Sequence, residues 1–167
     1  PTVVLPRHPE RGQEVAAGRA AQGLTVARLS QGEDITLDTD IYVADTLGEL
    51  GLFYRLCPIT LIGKSVLGHG GQNPLEPARL HSALIVGPHM ENFQEITATL
   101  TAAGACLNVA DATALGNAIS RLLDDNAERR RRVDAAMAVA AAEDGVLDAV
   151  IKELTPYLST GGSHASA

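Results

Sequence analysis

Ile59-Thr60-Leu61-Ile62-Gly63-Lys64-Ser65-Val66-Leu67-Gly68-His69-Gly70-Gly71-Gln72-Asn73-Pro74-Leu75-Glu76-Pro77 reads as a strand, a glycine-rich loop and the start of a helix. The first four residues are an unbroken apolar run, short enough for a strand buried on both faces. Leu75 to Leu80 is helix-compatible, and Pro74 and Pro77 brace the turn into it. Glycines let backbone N–H groups approach an anion closely, and a helix N-terminus behind them adds a favourable dipole. The loop is therefore expected to bind an anion, in the first instance a phosphate. Neither the dinucleotide spacing G-x-G-x-x-G nor the P-loop spacing G-x-x-x-x-G-K-[ST] is present, which removes those two readings.

The same alternation continues on both sides. Upstream, strands are expected at Val3–Leu5, Thr25–Leu29 and Ile41–Ala44, with a helix from Pro9 to Gln22 and a turn at Gln31–Asp34. Asp45 and Thr46 are expected to cap a helix over Leu47–Leu56, which Pro58 stops. Downstream come a short helix at Pro74–His81, a strand at Ala83–Val86, a helix at Glu91–Ala103 and a strand at Ala105–Val109. Three helices follow, Ala112–Leu123, Ala127–Ala142 and Val146–Leu158, and residues 159–167 are expected to be a disordered tail. Continuous apolar strands alternating with helices imply an α/β fold, a Rossmann-like parallel sheet flanked by helices over residues 1–158. Ligands of such sheets bind beyond the carboxyl ends of the strands. That rule points to four loops: Arg7–Arg11, Asp45–Glu49, Lys64–Glu76 and Gly87–Asn92.

Composition narrows the function classes. A length of 167 residues suits one domain with a proper core. With 3% aromatics and no Trp, that core must be largely aliphatic. A net charge of -7 opposes a general nucleic-acid binder. Cys57 and Cys106 lack metal-ligand spacing and read as reduced core thiols, in keeping with a cytoplasmic setting. No apolar run reaches the ~20 residues of a membrane span, and no stretch follows the signal-peptide pattern. The chain starts at Pro1 directly before the apolar run Thr2–Leu5, as expected of the later part of a longer polypeptide.

Within the four loops, Arg7 is the first candidate ligand, because guanidinium forks match phosphate oxygens and a cation at a helix start opposes the dipole. Arg11 and His8 are open between ligand binding and structural roles. Thr46, Gly48 and Glu49 read either as a capping box or as free N–H groups facing a phosphate or base, and both can hold together. Ser65, Gly70, Gly71 and Asn73 offer donors to phosphate or to a sugar carboxylate, with Lys64 and His69 adding charge. Glu76 can accept from two vicinal ribose hydroxyls, or simply complement its helix dipole. Asn92 can bond base, ribose or phosphate. His89 suits a general base or a metal ligand, but no partner set stands at standard spacing, so no metal is expected. No Ser-His-Asp or Cys-His pattern is legible. The basic run Arg129–Arg132 reads as a solvated helix face, with contact to acidic lipid headgroups as the alternative.

Four motifs occur in order: Arg7-His8-Pro9-Glu10-Arg11, Asp45-Thr46-Leu47-Gly48-Glu49-Leu50-Gly51-Leu52-Phe53-Tyr54, Gly68-His69-Gly70-Gly71-Gln72-Asn73-Pro74-Leu75-Glu76-Pro77-Ala78 and Gly87-Pro88-His89-Met90-Glu91-Asn92-Phe93. Through them the chain, to about Leu158, resembles the C-terminal half of the 3-deoxy-D-manno-octulosonic acid (Kdo) transferases of Gram-negative bacteria. The resemblance implies the nucleotide-sugar-binding half of a GT-B glycosyltransferase, inverting, metal-independent and without a cofactor besides its donor substrate, CMP-Kdo. Such an enzyme moves Kdo to the lipid A precursor in lipopolysaccharide biosynthesis, at the cytoplasmic face of the inner membrane. By motif, Arg7 would bind the CMP moiety, and the loop of Thr46, Gly48 and Glu49 would hold phosphate or cytosine. Asn73 and Glu76 would contact phosphate and ribose, and Asn92 would complete the pocket. The family's general base is a Glu of the N-terminal domain, which also carries the membrane anchor and the acceptor surface. No catalytic residue is therefore expected in this chain, which should bind donor and turn nothing over. The chain departs from many members at Lys64, where they have a Gly, and at Gln72, where they have a His. Alternatives are a related GT-B transferase or epimerase using a UDP-sugar, and a non-catalytic interaction module built on the acidic surface and the helices from Ala112 onward.

Overall fold

The computed structural model describes residues 1–158; the expected disordered tail, residues 159–167, lies outside the described residues. The chain divides into two compact units, Pro1–Pro58 and the residues from Ile59 on. Each is a three-stranded parallel sheet with helices, so the α/β class expected from the apolar runs holds. The single sheet does not: the strands pair as two separate groups of three. Apolar runs mark where strands are, but which strands neighbour each other is decided by backbone ladders that leave no trace in composition.

In the first unit, β1 (Thr2–Val4) and β2 (Val26–Arg28) flank β3 (Ile41–Val43), with Val4 and Arg28 both opposite Val43. A 3-10 turn at Pro9–Arg11 leads into α1 (Gly12–Ala20), and α2 (Leu50–Leu56) follows β3. The core is Ala27, Tyr42, Ala44 and Phe53, with Val3, Leu5 and Leu29 against it. In so aromatic-poor a chain, the Tyr42 and Phe53 rings pack together at 6.0 Å and form the bulk of this small core.

In the second unit, β5 (Ala83–Val86) lies between β4 (Ile59–Leu61) and β6 (Cys106–Asn108) and is buried throughout. Its side chains alternate. Leu84 and Val86 join Ile62, Leu100, Ala136 and Ala140 in one core layer, and Ala83 and Ile85 join Val109, Ala118 and Leu122 in the other. Around it stand α3 (Leu75–Arg79), α4 (Gln94–Ala102), α5 (Ala112–Asp124) and α6 (Asn126–Leu158). The two last helices expected from the sequence are one, running through Gly145. A glycine inside a helix costs only about 1 kcal/mol, and α6 is held by its packing on α3 and by Arg79 donating to Asp144 at 2.5 Å. No helix among the described residues is long and apolar enough to cross a membrane.

Two other expectations change. The run Arg129–Arg132 is not simply a solvated face. Arg132 donates to buried Glu128 at 2.7 Å and to the carbonyls of Gly104 and Cys106, while Arg129 donates to the Leu122 carbonyl at the end of α5. Asp45 does not cap α2. Gly48 takes φ +95°, which a helix cannot contain, so α2 starts only at Leu50. Asp45 instead turns inward, almost fully buried, and accepts from Arg28 Nε at 2.9 Å and Nη2 at 2.7 Å and from the Ser30 N–H at 3.0 Å and Oγ at 2.9 Å. Gly12 makes room for it: a Cβ there would lie 2.1 Å from Asp45 Oδ2. One carboxylate thus joins the ends of β2 and β3 to the start of α1.

Burial alone would raise the Asp45 carboxyl, but the hydrogen bonds from Ser30 and Arg28 outweigh it and hold the group below its ordinary value. Its contribution to stability is then complete above the unfolded value of about 3.9 and fades as pH falls below that towards the lowered folded value. Asp45→Asn should destabilise the first unit by about 3 kcal/mol near neutral pH. The deficit relative to wild type should shrink below about pH 4, measured by urea unfolding monitored through the Tyr42 environment.

Candidate functional site

The glycine loop is built upward from Ser65. Its hydroxyl is fully buried, donates to the Ile62 carbonyl at 2.6 Å and accepts from the Gly87 N–H at 2.9 Å. Its own carbonyl accepts from the His89 N–H at 2.9 Å. Gly87 has to be glycine, because a Cβ there would sit 2.1 Å from the Ser65 carbonyl oxygen. Ser65 was a candidate ligand donor by sequence; the structure gives its hydroxyl proton to the protein and makes it the rivet between the loops that leave β4 and β5. Lys64 beside it takes φ +62°, a left-handed conformation that glycine adopts without strain and lysine does not.

Gly70 and Gly71 complete the juncture. Gly70 adopts φ +90° and its N–H donates to Glu91 Oε2 at 2.7 Å, while the Asn92 N–H donates back to the Gly70 carbonyl at 3.3 Å. A Cβ on Gly70 would meet Asn92 Nδ2 at 2.5 Å, and one on Gly71 would meet Met90 Sδ at the same distance. The Gly70 N–H, expected to face a ligand, is thus already on an internal carboxylate. Glu91, at the opening of the 3-10 turn Glu91–Phe93, is the residue that carries this latch. Nothing in its sequence neighbourhood marks it, since its partner is 21 positions away. Its carboxyl is lowered to about 2 by hydrogen bonds from its own N–H and that of Gly70, with a further contribution from His89.

At the entry to α3, Asn73 Oδ1 accepts from the Leu75 N–H at 3.0 Å, which leaves its amide nitrogen as the donor end, and Glu76 stands exposed one residue into the helix. Ser65, Gly70, Gly71, Asn73, Glu76 and Asn92 therefore share the carboxyl edge of one sheet, as the topology rule requires. Imidazoles gather there too: His69 Nδ1 lies 3.8 Å and His89 Nδ1 3.5 Å from Glu91 Oε1, with the rings edge to face at 5.0 Å. Beside the Gly87 turn opens a cleft of about 540 Å³, lined by Gly87, Pro88, Met90, Gln94, Thr97 and Asn108 among others.

The remaining candidates stand in the first unit, at the carboxyl ends of β1 and β3. Arg7 is exposed directly after β1. Thr46 Oγ1 donates to the Glu49 carboxylate ahead of α2, a side-chain pair in place of the side-chain-to-backbone bonds of the expected capping box. Gly48 is open, with nothing near the position of an added Cβ.

No protein-family model matches the chain. It is 37% identical over 158 residues to a 3-deoxy-D-manno-octulosonic acid transferase of Bordetella pertussis, across 93% of this chain and 37% of that protein. It is 35% identical over 157 residues to the transferase of the same description from Haemophilus influenzae, with the same coverage. The chain thus spans little more than a third of the length of these relatives. Among solved structures it superposes on the C-terminal CMP-Kdo binding domain of WaaA from Acinetobacter baumannii with a TM-score of 0.78 and 35% identity, covering 82% of this chain and 72% of that one.

Ser65→Ala removes one buried donor and one buried acceptor at once, leaving Ile62 O and Gly87 N–H without that partner, and should cost about 2 kcal/mol in urea unfolding. The Gly70 amide resonance should titrate with the Glu91 carboxyl, at about 2. In Glu91→Gln that titration of the Gly70 signal should vanish.

Proposed function

The chain belongs to the 3-deoxy-D-manno-octulosonic acid transferase family, and on that footing we propose that it is the family's donor-binding domain, with CMP-Kdo as its ligand. The observation that carries this is the preformed anion loop of the second unit, whose backbone already holds a carboxylate through the Gly70 N–H. A loop riveted by Ser65, latched by Glu91 and backed by α3 enters binding without having to be ordered first, which favours affinity. Gly71 and the Asn73 amide are assigned to the phosphate, the Glu76 carboxylate to the ribose hydroxyls, and Asn92 to the neighbouring edge of the nucleotide. For Arg7, Thr46, Gly48 and Glu49 in the first unit the assignment follows the motifs alone.

In the whole protein, this domain would present CMP-Kdo for transfer of Kdo to the lipid A precursor at the cytoplasmic face of the inner membrane. The acceptor surface, the membrane contact and the general base are then supplied by residues outside this chain. Donor holding and chemistry are accordingly separate, and the chain by itself binds donor without turnover.

CMP titrated into the chain should shift the amide signals of Gly71, Asn73 and Asn92, while UDP at equal concentration should leave them in place. Glu76→Ala should weaken CMP at least about tenfold, the loss of a charged hydrogen-bond acceptor worth about 1.5 kcal/mol or more. UDP binding as tightly as CMP would transfer the assignment to a UDP-sugar enzyme, and no nucleotide response at all would remove the donor role.

A further inference from the structure

No ligand contact in the donor assignment is given to His69, His89 or Glu91, and the geometry of the trio suggests a separate use. The residues come from two loops 20 positions apart in sequence, which is why no ligand spacing is legible in the chain. One ligand atom from each lies within 4.8 Å of the others. Both Nδ1 atoms face the same oxygen, Glu91 Oε1, at 3.5 and 3.8 Å. With metal–ligand lengths of about 2.0 Å, ligands around a tetrahedral dication stand about 3.3 Å apart. The gaps in the structure exceed that by a few tenths of an ångström at the carboxylate. The remaining spread of the three ligand atoms, up to 4.8 Å, can close through rotation of the His69 side chain, which is 85% exposed.

We propose that His69, His89 and Glu91 bind one transition-metal dication of the zinc class, through two imidazole nitrogens and one carboxylate oxygen, with water in the open position. The carboxylate is oriented in advance, because its other oxygen, Oε2, accepts from the Gly70 N–H at 2.7 Å. The two ligand-bearing loops are also tied backbone to backbone, by the Asn92 N–H on the Gly70 carbonyl and the His89 N–H on the Ser65 carbonyl. Two imidazoles favour zinc, cobalt, nickel and copper over magnesium or calcium, which prefer oxygen ligands. A bound ion would pin the Gly68–Gly71 segment against the start of the turn at Glu91. This site is additional to the donor reading and needs no nucleotide to be tested.

The test is calorimetric titration of the chain with zinc chloride, repeated in excess magnesium, with imidazole resonances followed by NMR. One zinc per chain should bind, unaffected by magnesium, and the His69 and His89 ring signals should shift while those of His8 and His81 stay in place. His69→Ala and His89→Ala should each weaken binding at least about tenfold, whereas His81→Ala should not change it. The wild-type ring signals test the proposal even where a variant folds poorly. Absence of saturable zinc binding, or zinc binding that leaves the His69 and His89 signals unmoved, overturns the proposal.

Discussion

One buried hydroxyl sets the geometry of the glycine loop. Ser65 lies where the chain leaves β4, and through Ile62, Gly87 and His89 it ties that exit to the exit of β5. The approach is close enough that Gly87 can carry no side chain. With the two exits fixed, the left-handed turns at Lys64, Gly68, Gly70 and Gly71 have little freedom left, and the loop arrives at α3 with Asn73 already bonded to the helix start. The rigidity of the candidate site is thus a property of two strand ends held together, and the sheet beneath them supplies it through the fully buried β5.

The two units solve the same problem with the same chemistry. In each, a carboxylate just beyond a strand end fixes a neighbouring segment, and a glycine provides the room. Asp45 gathers Arg28 and Ser30 and presses against Gly12; Glu91 holds the Gly70 N–H. The difference is solvent. Asp45 is enclosed, so its ion pair with Arg28 is structural, whereas Glu91 is exposed and remains able to exchange partners.

Much of this was legible in the chain. Apolar runs located the six strands among the described residues to within a residue or two, and Gly104, at φ +66°, follows the end of α4. The loops carrying polar chemistry were found by the rule that places ligands at carboxyl ends. What was hidden depended on partners distant in sequence. Asp45 looks like a cap because Asp-Thr precedes a helical run, and only the arrival of Arg28 from β2 turns it inward. Ser65 looks like a ligand donor because it sits in a glycine loop, but its proton goes to the Ile62 carbonyl, and its oxygen accepts from Gly87, 22 positions on. Glu91 and the two imidazoles follow the same rule, as does the separation into two sheets, since apolar runs say nothing about which strands are neighbours.

On the proposed function, the Gly63–Pro77 loop holds the nucleotide of the donor. A crystal structure of the chain with CMP tests it most directly. The phosphate should lie within hydrogen-bond distance of the Gly71 backbone and the Asn73 amide, with a ribose hydroxyl on the Glu76 carboxylate and the Ser65 rivet unchanged. CMP seated away from this loop, with Asn73 and Glu76 unengaged, would contradict it.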